Sequence, residues 1–444
     1  MTNSKKGFLS KYFAIPFIQR MGIAFVLGII AGLIIGEPIE VIRPIGTLFL
    51  RLLMMVVIPI IVFTLITAMK SMTPSKLGRI GGQTVGLYLL TTAVAIIIGL
   101  GIANVFNPGM GLTLPTDATI DASEAPGIVE VLINIFPNNV FASMAEGAIL
   151  QVLAFALIFG VAMAFLKDTG SEKIKEGVDL IFSLTETASE VMFKIVRGVM
   201  EFGVLGVFAL LAATFGQTGP QALADFGILI ATFVIAVAIH MSLVYGLVFN
   251  IMILKKSPLK FLKGAKDALI TAFATRSSGG TLPITMKAAN QDLKIKEEIY
   301  SFSLPLGATI NMDGTAMYQG VTAIFAANLI GQSLTLGEQL IVVLTAVLAS
   351  IGTAGVPGAG LIMLTMVLTA LGLPLGVVAF VAGVDPVLDS FRTMNNVAGD
   401  LSVSSVVAKF NDGIDLTKGA WADEEEVVAP TPPVPPVDPA GGIK

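Results

Sequence analysis

The chain contains no cysteine, one histidine and one tryptophan, and only 13% of its residues are charged. Without cysteine there is no disulfide, no thiolate nucleophile and no thiolate-bound metal, and the lone His240 leaves histidine-based catalysis little to work with. Soluble domains carry about 25% charged residues. This chain is 55% hydrophobic, with a mean hydropathy of +0.87, and cannot clothe a surface for water, so a lipid bilayer must be its solvent. A net charge of −4 without any basic tract excludes nucleic acid as an evident partner. His240 lies in the apolar run IATFVIAVAIHMSLVYG and reads as a packed or hydrogen-bonded helix residue, with a proton relay as the lesser alternative. The start, MTNSKKGFLSKYFAIPFIQRMG, lacks the short apolar core and small-residue cleavage site of a signal peptide and reads as a cytoplasmic lead-in. The end, ADEEEVVAPTPPVPPVDPAGGIK, is acidic and Pro-rich and reads as a disordered tail, with partner binding as the alternative.

What is present is a series of long apolar runs. A spanning helix needs roughly 20 apolar residues, and cytoplasmic loops are enriched in Lys and Arg. Lys5, Lys6, Lys11 and Arg20 place the N-terminus inside. Spans at about 15–37, 45–69 and 82–106 follow, then a return over 127–166 broken near FPNN, a fifth element ending at GQTGPQALAD, and a sixth leading to KKSPLKFLKGAK. The segment 258–286 has lysines on both flanks and the helix breakers TRSSGGTLP at its middle, so it should dip into the membrane and return. The segment 297–329 crosses outward. The segment 338–372, with SIGTAGVPGAG at its middle and no positive flank, should be a second hairpin from the other face, and a last span covers about 374–409. The predicted fold class is therefore an all-α polytopic membrane protein of eight transmembrane helices and two re-entrant helical hairpins, with both termini cytoplasmic. Paired Gly/Pro-interrupted segments of this kind suggest inverted repeats and a transport site near the midplane; relief of helix packing by the glycines is the plainer alternative.

The last span, VAFVAGVDPVLDSFRTMNNVAGD, carries Asp385, Asp389, Arg392, Thr393, Asn396 and Asp400. At about 100° per residue these fall within one arc of roughly 100°. Pro386 can kink the helix without removing the stripe. An ionised side chain at the bilayer centre costs about 2.5–3.5 kcal/mol, so four in one span cost on the order of 10 kcal/mol and need partners. A structural salt-bridge ladder is disfavoured because three carboxylates face one guanidinium. The preceding span holds LGATINMDGTAMYQG, where Asn311, Asp313, Gly314 and Thr315 favour local unwinding. An unwound turn frees carbonyls, and carbonyls with carboxylates suit a hard cation.

Asp313, Asp385, Asp389 and Asp400 contribute −4 to this core and Arg276 and Arg392 +2, leaving −2. An acidic amino acid would make it −3, so two or three monovalent cations are expected to accompany it. Each sodium ion moving down about 100 mV releases about 2.3 kcal/mol, with about 1.4 kcal/mol more for each tenfold gradient. Arg392 can grip a carboxylate, Asp389 an ammonium, and Asn396 and Thr393 a second carboxylate.

At this point the motifs TRSSGGTLP, NMDGT, GVPGAG and DSFRTMNNVAGD are recognisable, and residues 1–413 resemble the dicarboxylate/amino acid:cation symporter family, the glutamate/aspartate transporter type. The rule about interrupted segments was itself drawn in part from this family. The resemblance implies a homotrimer in the cell membrane. Helices 1–2 (residues 1–80) and 4–5 (108–220) would be the scaffold, and helix 3 (81–107) with the core at 221–413 would move as an elevator; residues 414–444 would be the disordered tail. It implies substrate contacts at Arg276, Ser278, Thr315, Val356, Gly360, Asp389, Arg392, Thr393 and Asn396. It implies three sodium sites: Gly307, Asn311, Asn396 and Asp400; Thr309, Met312, Ser350, Ile351 and Thr353; and Tyr88, Thr91, Thr92, Asn311 and Asp313. Three features depart from the pattern: Gly279 in RSSGG, where many relatives carry a third serine; Pro386 after Asp385; and Gln319, where proton-coupled relatives have glutamate.

The expected function is sodium-coupled symport of aspartate or glutamate. Cystine and C4-dicarboxylate carriers of the same family are the alternatives, since cystine carriers can keep the arginine. A dicarboxylate without an amino group would leave Asp389 unpaired, and neutral amino acid carriers lack the arginine. An ion channel is the alternative from another class, disfavoured by two opposed hairpins and a mixed-sign stripe. An enzyme is not expected, because few nucleophile–base pairs remain.

Overall fold

In the computed structural model, the described residues are 12, 14–15, 17–70, 78–110, 133, 136–351 and 358–422. They are helical throughout, with one isolated β-bridge between Ile295 and Ile414. The helices are α1 (Phe17–Ile35), α2 (Arg43–Met69), α3 (Arg79–Phe106), α4 (Val140–Glu146), α5 (Ile149–Thr169), α6 (Glu172–Thr218), α7 (Ala222–His240), α8 (Pro258–Thr275), α9 (Ser278–Lys287), α10 (Glu297–Ile310), α11 (Asp313–Leu329), α12 (Leu336–Ile351), α13 (Ala359–Ala370) and α14 (Gly376–Phe410). A π-helix, Met241–Leu254, extends α7 without a break. Among the described residues, the helices at Arg79–Phe106, Gln151–Thr169, Glu172–Gln217 and Ala224–Leu254 are each long and apolar enough to cross a bilayer, and shorter apolar helices accompany them.

Local chemistry sets the boundaries. Ser257 caps α8 by accepting the Leu259 amide, and Pro258 opens the helix where a missing N–H costs nothing. Asn139 caps α4 through the amides of Phe141 and Ala142. This follows FPNN, where the sequence pattern breaks. At 47 residues, α6 is about 70 Å long, far more than a bilayer core is thick. It carries Glu186, paired with Lys70 at 2.7 Å, in its first half and Glu201, paired with the buried Arg20, in its second.

Two packing groups are visible. Helices α1, α2, α5 and α6 pack chiefly on one another, while α3 packs on α7 and α11, and α14 is embraced by α8, α10 and α11. Helix α11 is the hub, with every residue from Asp313 to Ala327 buried. Its Gly314 and Gly320 and its alanines allow the close approach this needs. A Cβ at Gly314 would collide with the Arg392 backbone of α14. The apolar side of α14 therefore meets protein along Val397–Ala408, not lipid.

The expected disordered tail from residue 414 needs correction. Lys296 N donates to Gly413 O at 2.8 Å and Asp415 N to Lys294 O at 3.1 Å. Trp421 is fully buried against Phe261 and donates its indole N–H to Leu293 O at 2.8 Å. Lys260 Nζ reaches Trp421 O at 3.0 Å. Burying one indole with its N–H satisfied outweighs the polar composition that suggested disorder. Asp415 is held well below the usual carboxylate range by hydrogen bonds from Thr417 and Lys418. Residues 423–444 of the expected tail lie outside the described residues.

Candidate functional site

Two helix pairs converge on α14. Helices α8 and α9 meet at Arg276, whose left-handed φ of 56° ends α8 with its amide on Ala272 O. Ser277 then caps α9 by accepting Gly280 N at 2.9 Å. A left-handed arginine costs about 1–2 kcal/mol, strain of the kind that collects at functional sites. Helices α12 and α13 form the second pair. Residues 352–357 between them, with the candidates Val356 and Thr353, lie outside the described residues, and α13 begins after Gly358 at φ 80°.

Arg392 is 1% exposed. Its Nη1 donates to Asp385 at 3.1 Å, and Nε and Nη2 donate to one oxygen of Asp389 at 3.1 and 2.6 Å. The Tyr318 ring lies beneath the guanidinium, 4.5 Å from its carbon. The other Asp389 oxygen accepts Gly358 N at 3.2 Å, and a Cβ at Gly360 would fall on the guanidinium itself. The second hairpin thus closes directly on Arg392. The arginine's carboxylate partners come from its own helix, where the sequence suggested groups held ready for a ligand. Thr393 adds a contact of 3.4 Å to Asp389.

The second polar knot forms where α10 stops at Ile310 and α11 starts at Asp313, the unwinding expected of Asn-Met-Asp-Gly. Asp313 is fully buried. One of its oxygens accepts Thr92 at 2.6 Å and Thr91 at 3.3 Å from α3, and the other accepts Tyr245 Oη at 2.5 Å. Asn311 reaches Asp400 at 2.9 Å and Asn396 O at 3.1 Å, while its Oδ1 lies 3.5 Å from Thr91. Asn396, one turn beyond Arg392 on α14, belongs to this knot: its Oδ1 accepts Gly314 N at 2.7 Å, and its Nδ2 lies 3.2 Å from both Thr315 Oγ1 and Met312 Sδ. Tyr88 Oη donates to Ser303 O at 3.0 Å, and a Cβ at Gly307 would strike both Asp400 and Tyr88.

The candidates therefore separate. Asp389, Arg392 and Thr393 cluster with Gly360, and Thr315 pairs with Asn396 in the second knot. Gly307, Asn311, Asn396 and Asp400 adjoin one another, as do Thr91, Thr92, Asn311 and Asp313. Of the remaining set, Thr309 is exposed and bonds Leu306 O at 2.9 Å, Ser350 bonds Val347 O at 2.7 Å, Met312 Sδ lies beside Asn396, and Ile351 ends α12. Ser278 is buried in the first turn of α9, and Arg276 Nε is buried without a hydrogen-bond partner among the described residues. Among the described residues no three His, Asp or Glu side chains gather as around a transition metal. Hydroxyls, amides and isolated carboxylates are the oxygen-rich set a hard monovalent ion accepts.

Sequence reading passed over Tyr318, Tyr245 and Asn395. Tyr318 stands three residues beyond Thr315 inside the same motif. Asn395 Oδ1 lies 3.4 Å from His240 Nδ1, in keeping with the packed role expected of that histidine.

Known proteins resemble this one along nearly its whole length. The chain is 35% identical over 402 residues to the "Proton/glutamate-aspartate symporter" of Escherichia coli, covering 88% of this chain and 90% of that protein. It is 33% identical over 401 residues to the "Proton/sodium-glutamate symport protein" of Bacillus subtilis, with coverage of 87% and 91%. It is 32% identical over 425 residues to the "C4-dicarboxylate transport protein" of Rhodospirillum rubrum, with coverage of 93% and 92%. With residues 17–410 also matching the profile of that group, the chain belongs to the sodium:dicarboxylate symporter family.

Proposed function

We propose that this protein is a cation-coupled symporter of acidic amino acids, aspartate or glutamate, driven by sodium. The observation that carries the reading is α14, which holds a buried arginine–carboxylate cluster at Asp385, Asp389 and Arg392 and, one turn on, supplies Asn396 and Asp400 to a second buried cluster with Asp313, Asn311 and threonine hydroxyls. One cluster recognises a carboxylate. The other offers the ligands of small cations. The helix they share couples occupancy of the two. A substrate carboxylate reaches Arg392 by competing with Asp385 and Asp389, and the Gly358–Gly360 turn must give way to admit it. Cations beside Asp313 and Asp400 then offset the charge.

Sodium is preferred over protons because Gln319, buried in α11, cannot titrate. The relatives' names include protons alone and protons with sodium, so the driving ion has to be measured. A C4-dicarboxylate is the second reading. Asp389 already has partners in Arg392 and Gly358, so a substrate without an ammonium does not strand it, and the sequence argument against such substrates loses its force.

In the same reading eight spans and two hairpins lie in the cell membrane, α1, α2, α5 and α6 form the scaffold of a homotrimer, and α3 with α7–α14 moves as an elevator. The separate packing of those two groups supports this division. The test is uptake into liposomes, with aspartate, glutamate, cystine and succinate competing, under sodium, choline or a proton gradient alone. Full uptake with choline in place of sodium removes the sodium assignment, and competition by succinate but not aspartate selects the second reading.

A further inference from the structure

The π-helical extension of α7 has its own periodicity. In an α-helix, residues five apart point about 140° away from one another. Where hydrogen bonds run between residues five apart, such residues come round to neighbouring positions on one face. His240, Tyr245 and Asn250 form such a row. They are 0%, 2% and 1% exposed, buried polar side chains on a segment that is otherwise apolar apart from Ser242. The Asn250 amide donates to Tyr245 O at 2.7 Å, tying the row together. The His240 ring stands edge-on to the Tyr245 ring, with centroids 4.8 Å apart at 79°. π-Helical segments recur at functional sites, and this one aims at Asp313.

We propose that Tyr245 is a positioning residue for Asp313: it engages one carboxylate oxygen and so dictates that only the other faces the cation. Its hydroxyl donates to Oδ2 at 2.5 Å, while Oδ1 turns to Thr91 and Thr92. The ring is fixed from three sides. His240 is on one, with its Nε2 3.9 Å from Asp313 Oδ2; the Asn395 carbonyl is 3.5 Å from the hydroxyl on another; and on the third is Gly399, where a Cβ would meet Tyr245 Oη and Asn311 Nδ2. Asp313 therefore meets a cation with a single oxygen in a fixed orientation. That favours a small monovalent ion held jointly with hydroxyls over a divalent ion seeking a chelating carboxylate.

This inference rests on the reading of Asp313 as a cation ligand. The experiment compares native protein, Tyr245→Phe, Asp313→Asn and the double variant in proteoliposomes, recording the sodium concentration for half-maximal uptake and the substrate concentration for half-maximal uptake at saturating sodium. Sodium-dependent thermal stabilisation in detergent gives a second readout. A hydrogen bond to a charged group is worth about 1.5–3 kcal/mol, so Tyr245→Phe should raise half-saturating sodium about tenfold or more. Substrate half-saturation at saturating sodium should move much less, and adding Tyr245→Phe to Asp313→Asn should shift sodium no further. If the sodium curve of Tyr245→Phe overlays the native one while Asp313→Asn shifts it, the positioning role is wrong and the cation site stands. If Asp313→Asn itself leaves the sodium curve unmoved, the reading of Asp313 is wrong. Should Tyr245→Phe not fold, Asn250→Leu loosens the same row and should shift sodium in the same direction; an unmoved curve there overturns the proposal.

Discussion

Gly360→Ala tests the closure of the second hairpin on Arg392. A Cβ at position 360 would overlap the guanidinium, the far end of a long side chain, whose atoms are its three nearest neighbours. The arginine can therefore yield without unfolding α13, but it cannot yield freely. Three N–H contacts to Asp385 and Asp389 hold it, and the Tyr318 ring blocks movement below. Displacement that sacrifices one charge-assisted hydrogen bond and keeps the others costs about 1.5–3 kcal/mol, a factor of about ten to 150 in affinity if the substrate needs the guanidinium where it now lies. Substrate half-saturation in liposome uptake should rise by that factor, while the melting temperature in detergent without substrate falls only modestly. The control is Gly372→Ala, at φ 65° in the turn after α13 with open space around it, which strains the backbone but touches no site residue. A Gly360→Ala protein whose substrate half-saturation stays within about twofold of native, well under one charged hydrogen bond, would show that Arg392 does not read the substrate.

Arg392→Ala should do more than abolish binding: it leaves Asp385 and Asp389 buried without their cation, a loss of about 3–5 kcal/mol, visible in the melting temperature and partly relieved by adding Asp385→Asn. Trp421→Ala removes a fully buried indole and its bond to Leu293, for about 3–5 kcal/mol of local stability, and limited proteolysis should cut between Asn411 and Trp421 in the variant at protease levels the native protein resists. Trp421 is the only tryptophan, so its fluorescence reports this segment alone. Asp415 has a depressed folded pKa, so the stability it lends is present above the unfolded carboxylate value near about 4 and is lost only as pH falls through the lower folded value; emission should hold steady from neutral pH to about 4. Gln319→Glu places a titratable group in a fully buried position and should add a pH dependence to uptake between about pH 5 and 8 that the native protein lacks, read as uptake against external pH.

Much of this architecture is legible because hydrocarbon imposes few solutions. Apolar runs and lysine placement locate the helices, and the break at Asn311–Met312 follows from residues that resist helix formation. The polar stripe from Asp385 to Asp400 is likewise read from helical geometry, and all six of its side chains are buried. Three things escape such a reading. Rotation by 100° per residue scatters His240, Tyr245 and Asn250 around the helix, and only bonding between residues five apart gathers them. Tyr318 looks like an ordinary helix residue until α14 lays Arg392 over it. The segment 411–422 is short and polar, and its order depends on one indole finding a slot that exists only in three dimensions.

The anchoring of Trp421 also decides what moves with what. Its holdfasts, Leu293, Phe261 and Lys260, all belong to the first hairpin and its outlet. Under the elevator movement proposed above, a fluorophore or fused domain attached beyond Ala422 is leashed to α8 and the outlet of α9, and should report the excursions of the moving group instead of the frame around α6.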